Sequence, residues 1–346
     1  MRAKGDRLAK RSDSGLSRVI AVNKPLGMTS HDVTNRVRRI YGERRVGHTG
    51  TLDPLASGVL VVCVGPATRL VPYLQGHGKR YRMGITFGIG TDTDDAEGQI
   101  TKRAPIPSEV FHEDYAKLRI ASMVGKSTQI PPVYSAIKVN GRKSYEAARK
   151  GSIIDLEARP FEIYEASLIS VADKTGEEGE ELVEWVVEMS VSPGTYMRSI
   201  ARDLGRDLST CAYVSSLERV RNGVIDVSQC ATLDELEADP DCATIDPLCA
   251  LGLRYAFVRE HAQLVECGSP LPADSIALNE PVKNDIYDDV CCTSSVFPSA
   301  EPPHDGEVVA LIVDGKVKAL YEYRQSTHRF AARCVFFRGV ERGTTL

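Results

Sequence analysis

The spacing of apolar and polar residues predicts a chain that mixes strands and helices. Residues 59–64 read VLVVCV, a continuous apolar run typical of a buried strand. Residues 80–89 and 182–192 alternate between apolar and polar positions, which predicts strands with one apolar face each. Apolar residues recur every three or four positions in 30–41 and 197–208, which predicts helices there, and 107–122 is also expected to be helical.

The last part of the chain has a different pattern of apolar and polar residues. Residues 308–313, 317–323 and 330–337 are short alternating runs separated by Gly, Pro and Asp turns, which predicts a small β-barrel. The acidic, proline-containing segment 233–247 is interpreted as a linker or a short helix. A chain of 346 residues is too long for one compact core, so we expect two domains, one of them large.

The composition is that of a soluble globular protein, with 42% hydrophobic and 26% charged residues. No apolar run approaches the ~18 residues of a membrane span. Residues 1–18 are polar and basic without the apolar core of a signal peptide, so we expect a cytoplasmic protein. The nine cysteines include no C-x-x-C pair, which indicates neither a disulfide framework nor a zinc site.

The net charge of -4 conceals a strong asymmetry along the chain. Residues 1–150 contain 26 Lys and Arg against 13 Asp and Glu, whereas residues 151–346 contain 17 against 34. This split favours a polyanion-binding face in the N-terminal half, with a solvated basic surface as the alternative. Residues 1–17 are predicted to be a disordered basic tail.

Residues 47–60, GHTGTLDPLASGVL, place a single carboxylate, Asp53, after a run of small and flexible residues. Spacing alone favours another interpretation, in which Asp53 is a helix N-cap and Pro54 is a proline in the first turn. The acidic turn at 92–98 does not have EF-hand spacing, because Ala96 and Arg103 stand where ligands are required, and we assign it a structural role.

Together with five further segments, this loop resembles the pseudouridine synthases of the bacterial TruB type. The segments are VNKPLGMTS at 22–30, KRYR at 79–82, GTDTD at 90–94, QIPPVYSAIK at 129–138 and GTYMR at 194–198. The resemblance implies an α+β pseudouridine synthase fold, with a mixed, mostly antiparallel central sheet flanked by helices. It also implies a catalytic domain at 18–252, a thumb-like RNA-binding insertion at about 125–152, and a small PUA-like domain at 253–346.

The resemblance implies isomerisation of a uridine in the T-loop of tRNA, at position 55, without cofactor or metal. The base must be flipped out of its stack to be reached. The family roles fall on the matching residues as follows: Asp53 is the catalytic carboxylate, Tyr81 stacks on the uracil, Arg198 meets the carboxylate, Leu217 forms the other wall of the uracil pocket, and His48 fills the space that the flipped base leaves.

The remaining residues of the expected RNA site are basic or aromatic. Lys24, Lys138 and Tyr196 are expected to line the cleft, and Arg142, Lys143 and Arg149 to contact RNA in the insertion. We expect a monomer with tRNA as its partner and no obligatory protein partner. Two alternatives stay open: a guide-RNA-dependent synthase inside a ribonucleoprotein, and a non-enzymatic RNA-binding or tRNA-folding module.

Overall fold

The protein is described by a computed structural model that covers residues 14–132, 156–282 and 297–343, and the backbone of 138–139 and 142–143. The helices are α1 (Ser30–Tyr41), α2 (Val71–Leu74), α3 (Glu113–Ala121), α4 (Met197–Asp207), α5 (Leu233–Ala238), α6 (Pro247–Leu251) and α7 (Ala262–Glu266). The predicted tail therefore lies largely outside the described residues, as does most of the predicted insertion.

The strands are also numbered in the order in which they occur along the chain. They are β1 (Arg18–Lys24), β2 (Val46–His48), β3 (Ala56–Val64), β4 (Lys79–Phe87), β5 (Ile89–Thr91), β6 (Ile100–Arg103), β7 (Gly125–Gln129), β8 (Lys138–Val139), β9 (Arg142–Lys143), β10 (Arg159–Thr175), β11 (Glu181–Val191), β12 (Ala212–Asn222), β13 (Ile225–Asp226), β14 (Thr244–Ile245), β15 (Tyr255–Phe257), β16 (Leu271–Pro272), β17 (Val308–Val313), β18 (Lys316–Arg324) and β19 (Arg329–Val340). The α+β class predicted from the sequence is confirmed.

The chain divides into two units. The first contains Met1–Asp53, Val59–Gly76 and Gly223–Leu346, and the second contains Pro54–Gly58 and His77–Asn222. Strand β3 contributes its first three residues to the second unit and the rest to the first. The domain boundary at residue 252 and the PUA-like assignment of 253–346 remain predictions.

The first unit is built on two groups of strands. Strand β1 lies between β14 and β3, and β2 pairs antiparallel with β3. The C-terminal strands form a five-stranded sheet in the order β15-β17-β18-β19-β16, in which β15 runs parallel to β17. The alternating runs predicted at 308–313, 317–323 and 330–337 are confirmed as β17, β18 and β19.

The apolar run of β3 is buried on both faces, as the sequence predicts. Val59, Val61 and Cys63 pack into a core that also contains Ile312 and Leu320 of the C-terminal sheet. The intervening residues, Leu60, Val62 and Val64, pack into a second core against α1 and α5. Because no residue of the run faces water, polar residues are excluded from it.

We predict that a chain ending at Gly252 does not form a stable first unit. Its core would lose Ile312, Leu320 and Phe336 and leave the apolar side of β3 exposed to water. The Ser17 carbonyl would also lose the Glu341 N–H that donates to it at 2.8 Å. Size-exclusion chromatography and thermal unfolding of residues 1–252 beside the full chain test this. A monomer that unfolds cooperatively would contradict it.

The second unit is a mostly antiparallel sheet. Its strand order is β3-β12-β4-β11-β10-β7, in which only β3 and β12 are parallel. Helix α4 packs on β12 and α3 on β10. Trp185 of β11 is fully buried, and its ring Nε1–H donates to the Val110 carbonyl at 2.8 Å.

Two predicted elements of the second unit have different bounds in the structure. The alternating strand predicted to run to residue 89 ends at Phe87, because Gly88 has a φ of +102° and turns the chain into β5. The predicted helix 107–122 is a 3₁₀ turn at Ser108–Phe111 followed by α3. In the first unit, the acidic segment 233–247 contains α5, so that its interpretation as a short helix is confirmed, and it also contains β14.

Candidate active site

The loop that carries Asp53 connects β2 to β3. A turn at Pro54 and Leu55 leads directly into β3, and no helix begins after Asp53. The helix-cap interpretation of Asp53 and Pro54 is therefore wrong. Strand β3 lies close to β12 at its third residue, Gly58, where φ is +99° and an added Cβ would lie 2.3 Å from the Arg219 carbonyl oxygen. A glycine is thus required at this position of β3.

Leu52, the residue before Asp53, is hydrogen-bonded to Ser30 within the first unit. The Ser30 hydroxyl donates to the Leu52 carbonyl at 3.0 Å and accepts from the Leu52 N–H at 2.8 Å. Both residues are buried. Ser30 itself is fixed in the first turn of α1, whose N-cap Thr29 forms a capping box with Asp32. The loop is therefore anchored to a helix immediately before the carboxylate, which is half-buried.

Lys24 is fully buried at the end of β1, although lysine seldom is. Its Nζ donates to the carbonyls of Pro25 at 2.9 Å and Met28 at 2.5 Å. These two hydrogen bonds from the ammonium stabilise the turn that leads into α1. His48 is half-buried in β2, where it pairs with Val62. The RNA-contacting roles of Lys24 and His48 stay predictions.

Tyr81 and Leu217 lie on one face of neighbouring strands. In the antiparallel pair of β4 and β12, Tyr81 is opposite Arg219 and Leu217 is opposite Met83. Such diagonal neighbours have Cα atoms ~7–8 Å apart, within reach of an aromatic ring. Both side chains are buried. The register therefore brings together the two residues expected to form the walls of a base pocket.

Two basic residues missed by the sequence analysis are buried beside this pair. Arg219 is 1% and Lys79 is 8% exposed, and they flank Tyr81 on β12 and β4. Burial, and then the positive charge of Arg219, lowers the pKa of Lys79 to about 8. Lys79 could have been found, because it stands two residues before Tyr81 and so shares its face, but it was considered only as part of the KRYR motif. Arg219 gave no such signal, because it lies on a strand that was not predicted.

Arg198 lies in the first turn of α4 and is 6% exposed. A cation at this positive end of a helix is unfavourable unless an anion meets it. Asp95 supplies one, because its Oδ2 lies 3.3 Å from Arg198 Nη1, which also donates to the Thr93 carbonyl at 3.0 Å. The acidic turn thus holds Arg198 in place. The structural role that the sequence analysis assigned to this turn did not include that contact. The expected pairing of Arg198 with the Asp53 carboxylate stays a prediction.

The other predicted RNA residues lie around α4 or outside the described side chains. Tyr196 is the N-cap of α4, and its backbone N–H donates to Gln129 Oε1 at 3.3 Å. The backbones of Lys138 and Lys143 pair in the hairpin of β8 and β9, which also contains Arg142. Their side chains, and all of Arg149, lie outside the described residues.

No group of three or more His, Cys, Asp or Glu side chains in the described part of the chain is arranged to hold a metal ion. Among the described helices, none is long and apolar enough to cross a bilayer.

Residues 38–197 match the model of the TruB family pseudouridylate synthase N-terminal domain. The tRNA pseudouridine synthase B of Thermobifida fusca is 45% identical over 311 residues, which cover 89% of this chain and 95% of that protein. The proteins of the same name from Mycobacterium ulcerans and Pediococcus pentosaceus are 38% and 33% identical, covering 86% and 88% of this chain and 90% and 94% of theirs.

Solved structures share the fold at lower identity. A crystal structure of a Cbf5-Nop10-Gar1 complex contains a chain that is 21% identical, with a TM-score of 0.64, and the match covers 96% of this chain and 88% of that one. An H/ACA ribonucleoprotein bound to a substrate RNA containing 2'-deoxyuridine matches with a TM-score of 0.61 at 20% identity, covering 96% of this chain and 86% of that one.

Proposed function

Because the chain belongs to the TruB family of pseudouridylate synthases, we propose that it isomerises a uridine of tRNA to pseudouridine. The relatives that span nearly its whole length are named tRNA pseudouridine synthase B, and this observation carries the proposal. The finer assignment, to the T-loop uridine at position 55, rests on the motifs at 22–30, 47–60 and 194–198. The proposed place of action is the cytoplasm, and the proposed working form is a monomer.

The reaction breaks the bond between ribose C1′ and uracil N1, turns the base, and joins C1′ to C5. Atoms are conserved, since one C–H proton leaves C5 and one N–H proton is gained at N1, so neither oxidant nor cofactor is required. We assign the ionised carboxylate needed at the ribose or the base to Asp53. The role that we assign to Arg198 is to meet this carboxylate with a permanent positive charge.

Tyr81 and Leu217 are proposed to hold the uracil between them, which their shared face on β4 and β12 supports. His48 is proposed to occupy the space that the flipped base leaves. The RNA backbone is assigned to Lys24, Tyr196 and the basic residues of the predicted insertion, Lys138, Arg142, Lys143 and Arg149. The charge split of the sequence supports this assignment.

The guide-RNA-dependent alternative is supported only by a shared fold, because the Cbf5-containing structures are at most 21% identical. Incubating the purified chain with an unmodified tRNA transcript, and then mapping pseudouridine chemically, decides between them. We expect complete conversion of one T-loop uridine without any second RNA or protein. Conversion that appears only after a guide RNA is added would favour the alternative, and no conversion at all would remove the proposal.

A further inference from the structure

Arg202 lies one helical turn after Arg198 on α4 and contacts three separate groups. Its Nη1 lies 3.0 Å from Asp94 Oδ2, its Nη2 donates to the Ile130 carbonyl at 2.8 Å, and its Nε donates to Asp203 Oδ1 at 2.9 Å. The side chain is only 15% exposed. A guanidinium is a rigid planar fork of donors, so it fixes the relative positions of the groups that it joins.

The acidic partner of Arg202 belongs to the turn that holds Arg198. Asp94 has a φ of +61°, a left-handed conformation that is unfavourable for a residue with a Cβ. The residues on either side of it provide both of the Arg198 contacts described above, the Thr93 carbonyl and the Asp95 carboxylate. The two arginines therefore clamp one three-residue turn from adjacent turns of α4.

The electrostatics of Asp94 depend on the same contact. Burial raises the pKa of Asp94, and the positive charge of Arg202 opposes part of that rise. The hydrogen bond from Arg202 to Ile130 ties it to the residue that directly follows β7. The same Ile130 carbonyl accepts a second hydrogen bond from the Ser199 hydroxyl at 2.8 Å. Helix α4, the 93–95 turn and the residue after β7 thus meet at one side chain.

We propose that Arg202 is a positioning residue for the isomerisation, acting through Asp94 and the 93–95 turn to orient Arg198. The inference rests on the proposed function, in which Arg198 supports the chemical step. Arg202 is not assigned contact with the RNA. Its removal should therefore slow the chemical step while leaving tRNA affinity nearly unchanged.

The same helix offers a matched control in Arg206. Its side chain is 68% exposed and pairs with Asp203 at 3.4 Å. Arg202→Met and Arg206→Met remove the same charge and leave the same side chain. They differ because only Arg202→Met removes the contact with Asp94 in the 93–95 turn.

The experiment uses the full chain in excess over unmodified tRNA transcript, so that a single turnover is measured, and a separate filter-binding assay for affinity. Arg202→Met is expected to lower the single-turnover rate at least about tenfold, the scale of effect of a small misplacement at a reacting centre. Its tRNA dissociation constant should stay within about threefold, as should both quantities for Arg206→Met. An unchanged rate, or an equal loss of rate and affinity, would overturn the proposal.

The path through Asp94 is tested by a double-mutant cycle. Asp94→Asn alone should reproduce the slow rate with unchanged affinity, and it carries the test if Arg202→Met does not fold. The double variant should be no more than about twofold slower than the slower single variant. Fully multiplicative losses would show that Arg202 acts elsewhere. If the unsubstituted chain converts no uridine, the proposed function fails. If the unsubstituted chain is active and the Arg202 and Asp94 variants are equally fast, the proposed function stands and the positioning role fails.

Discussion

Replacing Asp53 with Asn is expected to lower the single-turnover rate of pseudouridine formation by at least about a thousandfold, or ~4 kcal/mol in barrier height. Asn has nearly the same shape, so the turn between Leu52 and Ala56 should persist. The amide has neither the charge nor the basicity of a carboxylate, and the chemical step requires one of these. Affinity for tRNA should change by less than about threefold.

The same substitution at Asp207 provides the control for Asp53→Asn. Asp207 is exposed at the end of α4, and Asp207→Asn should retain the full rate. Quench-flow with enzyme in excess separates the chemical step from binding and release. If Asp53→Asn converts uridine within about tenfold of the unsubstituted chain, ~1.4 kcal/mol, then Asp53 does not perform the chemistry and the proposed site is wrong.

The second large effect is expected at Arg198. Arg198→Ala should lower the single-turnover rate by about a hundredfold, the usual scale for loss of a preorganised charge in a closed site. It also leaves the buried Asp95 carboxylate without the cation 3.3 Å away, so some loss of thermal stability is expected as well. Asp95→Asn removes only the anchor, and we expect a smaller loss of rate, about tenfold.

Arg206→Ala on the exposed side of the same helix is the control for Arg198→Ala and should be unaffected in rate and stability. Rates are compared at a temperature where circular dichroism shows every variant to be folded. An Arg198→Ala enzyme with the full single-turnover rate but weakened tRNA binding would assign Arg198 to substrate affinity and remove it from the chemical step.

The sequence predicted the elements whose periodicity is uninterrupted. The buried run of β3, the alternation of β4 from Tyr81 to Phe87, and the apolar stripes of α1 and α4 were all confirmed. Strand β12 was not predicted, because its register shifts between Val214 and Ser216 and again before Arg221. Each bulge moves the apolar residues to the other face, which destroys the period of two.

The site itself was only partly predictable. Motif residues such as Asp53 and Arg198 could be selected from the sequence, since their neighbours are distinctive. The contacts that hold them in place join residues far apart in the chain. Ser30 and Leu52 are 22 residues apart, and Arg198 is 103 residues from Asp95. No local sequence pattern indicates such a pairing. The supporting roles of Ser30, Asp95 and Arg202 could therefore be recognised only from the fold.

The division of the first unit between both ends of the chain determines when each unit can fold during synthesis. Residues 77–222 leave the ribosome as one continuous stretch, so the second unit lacks only the short segment 54–58, which has already been made. The first unit must wait for its last strands. At ~5–20 residues per second, β1 and β3 remain without Ile312 and Leu320 for on the order of ten seconds or more. During that interval the side of β3 that carries Val59, Val61 and Cys63 lacks these C-terminal packing partners, and apolar surface that is exposed in this way during folding is prone to aggregation.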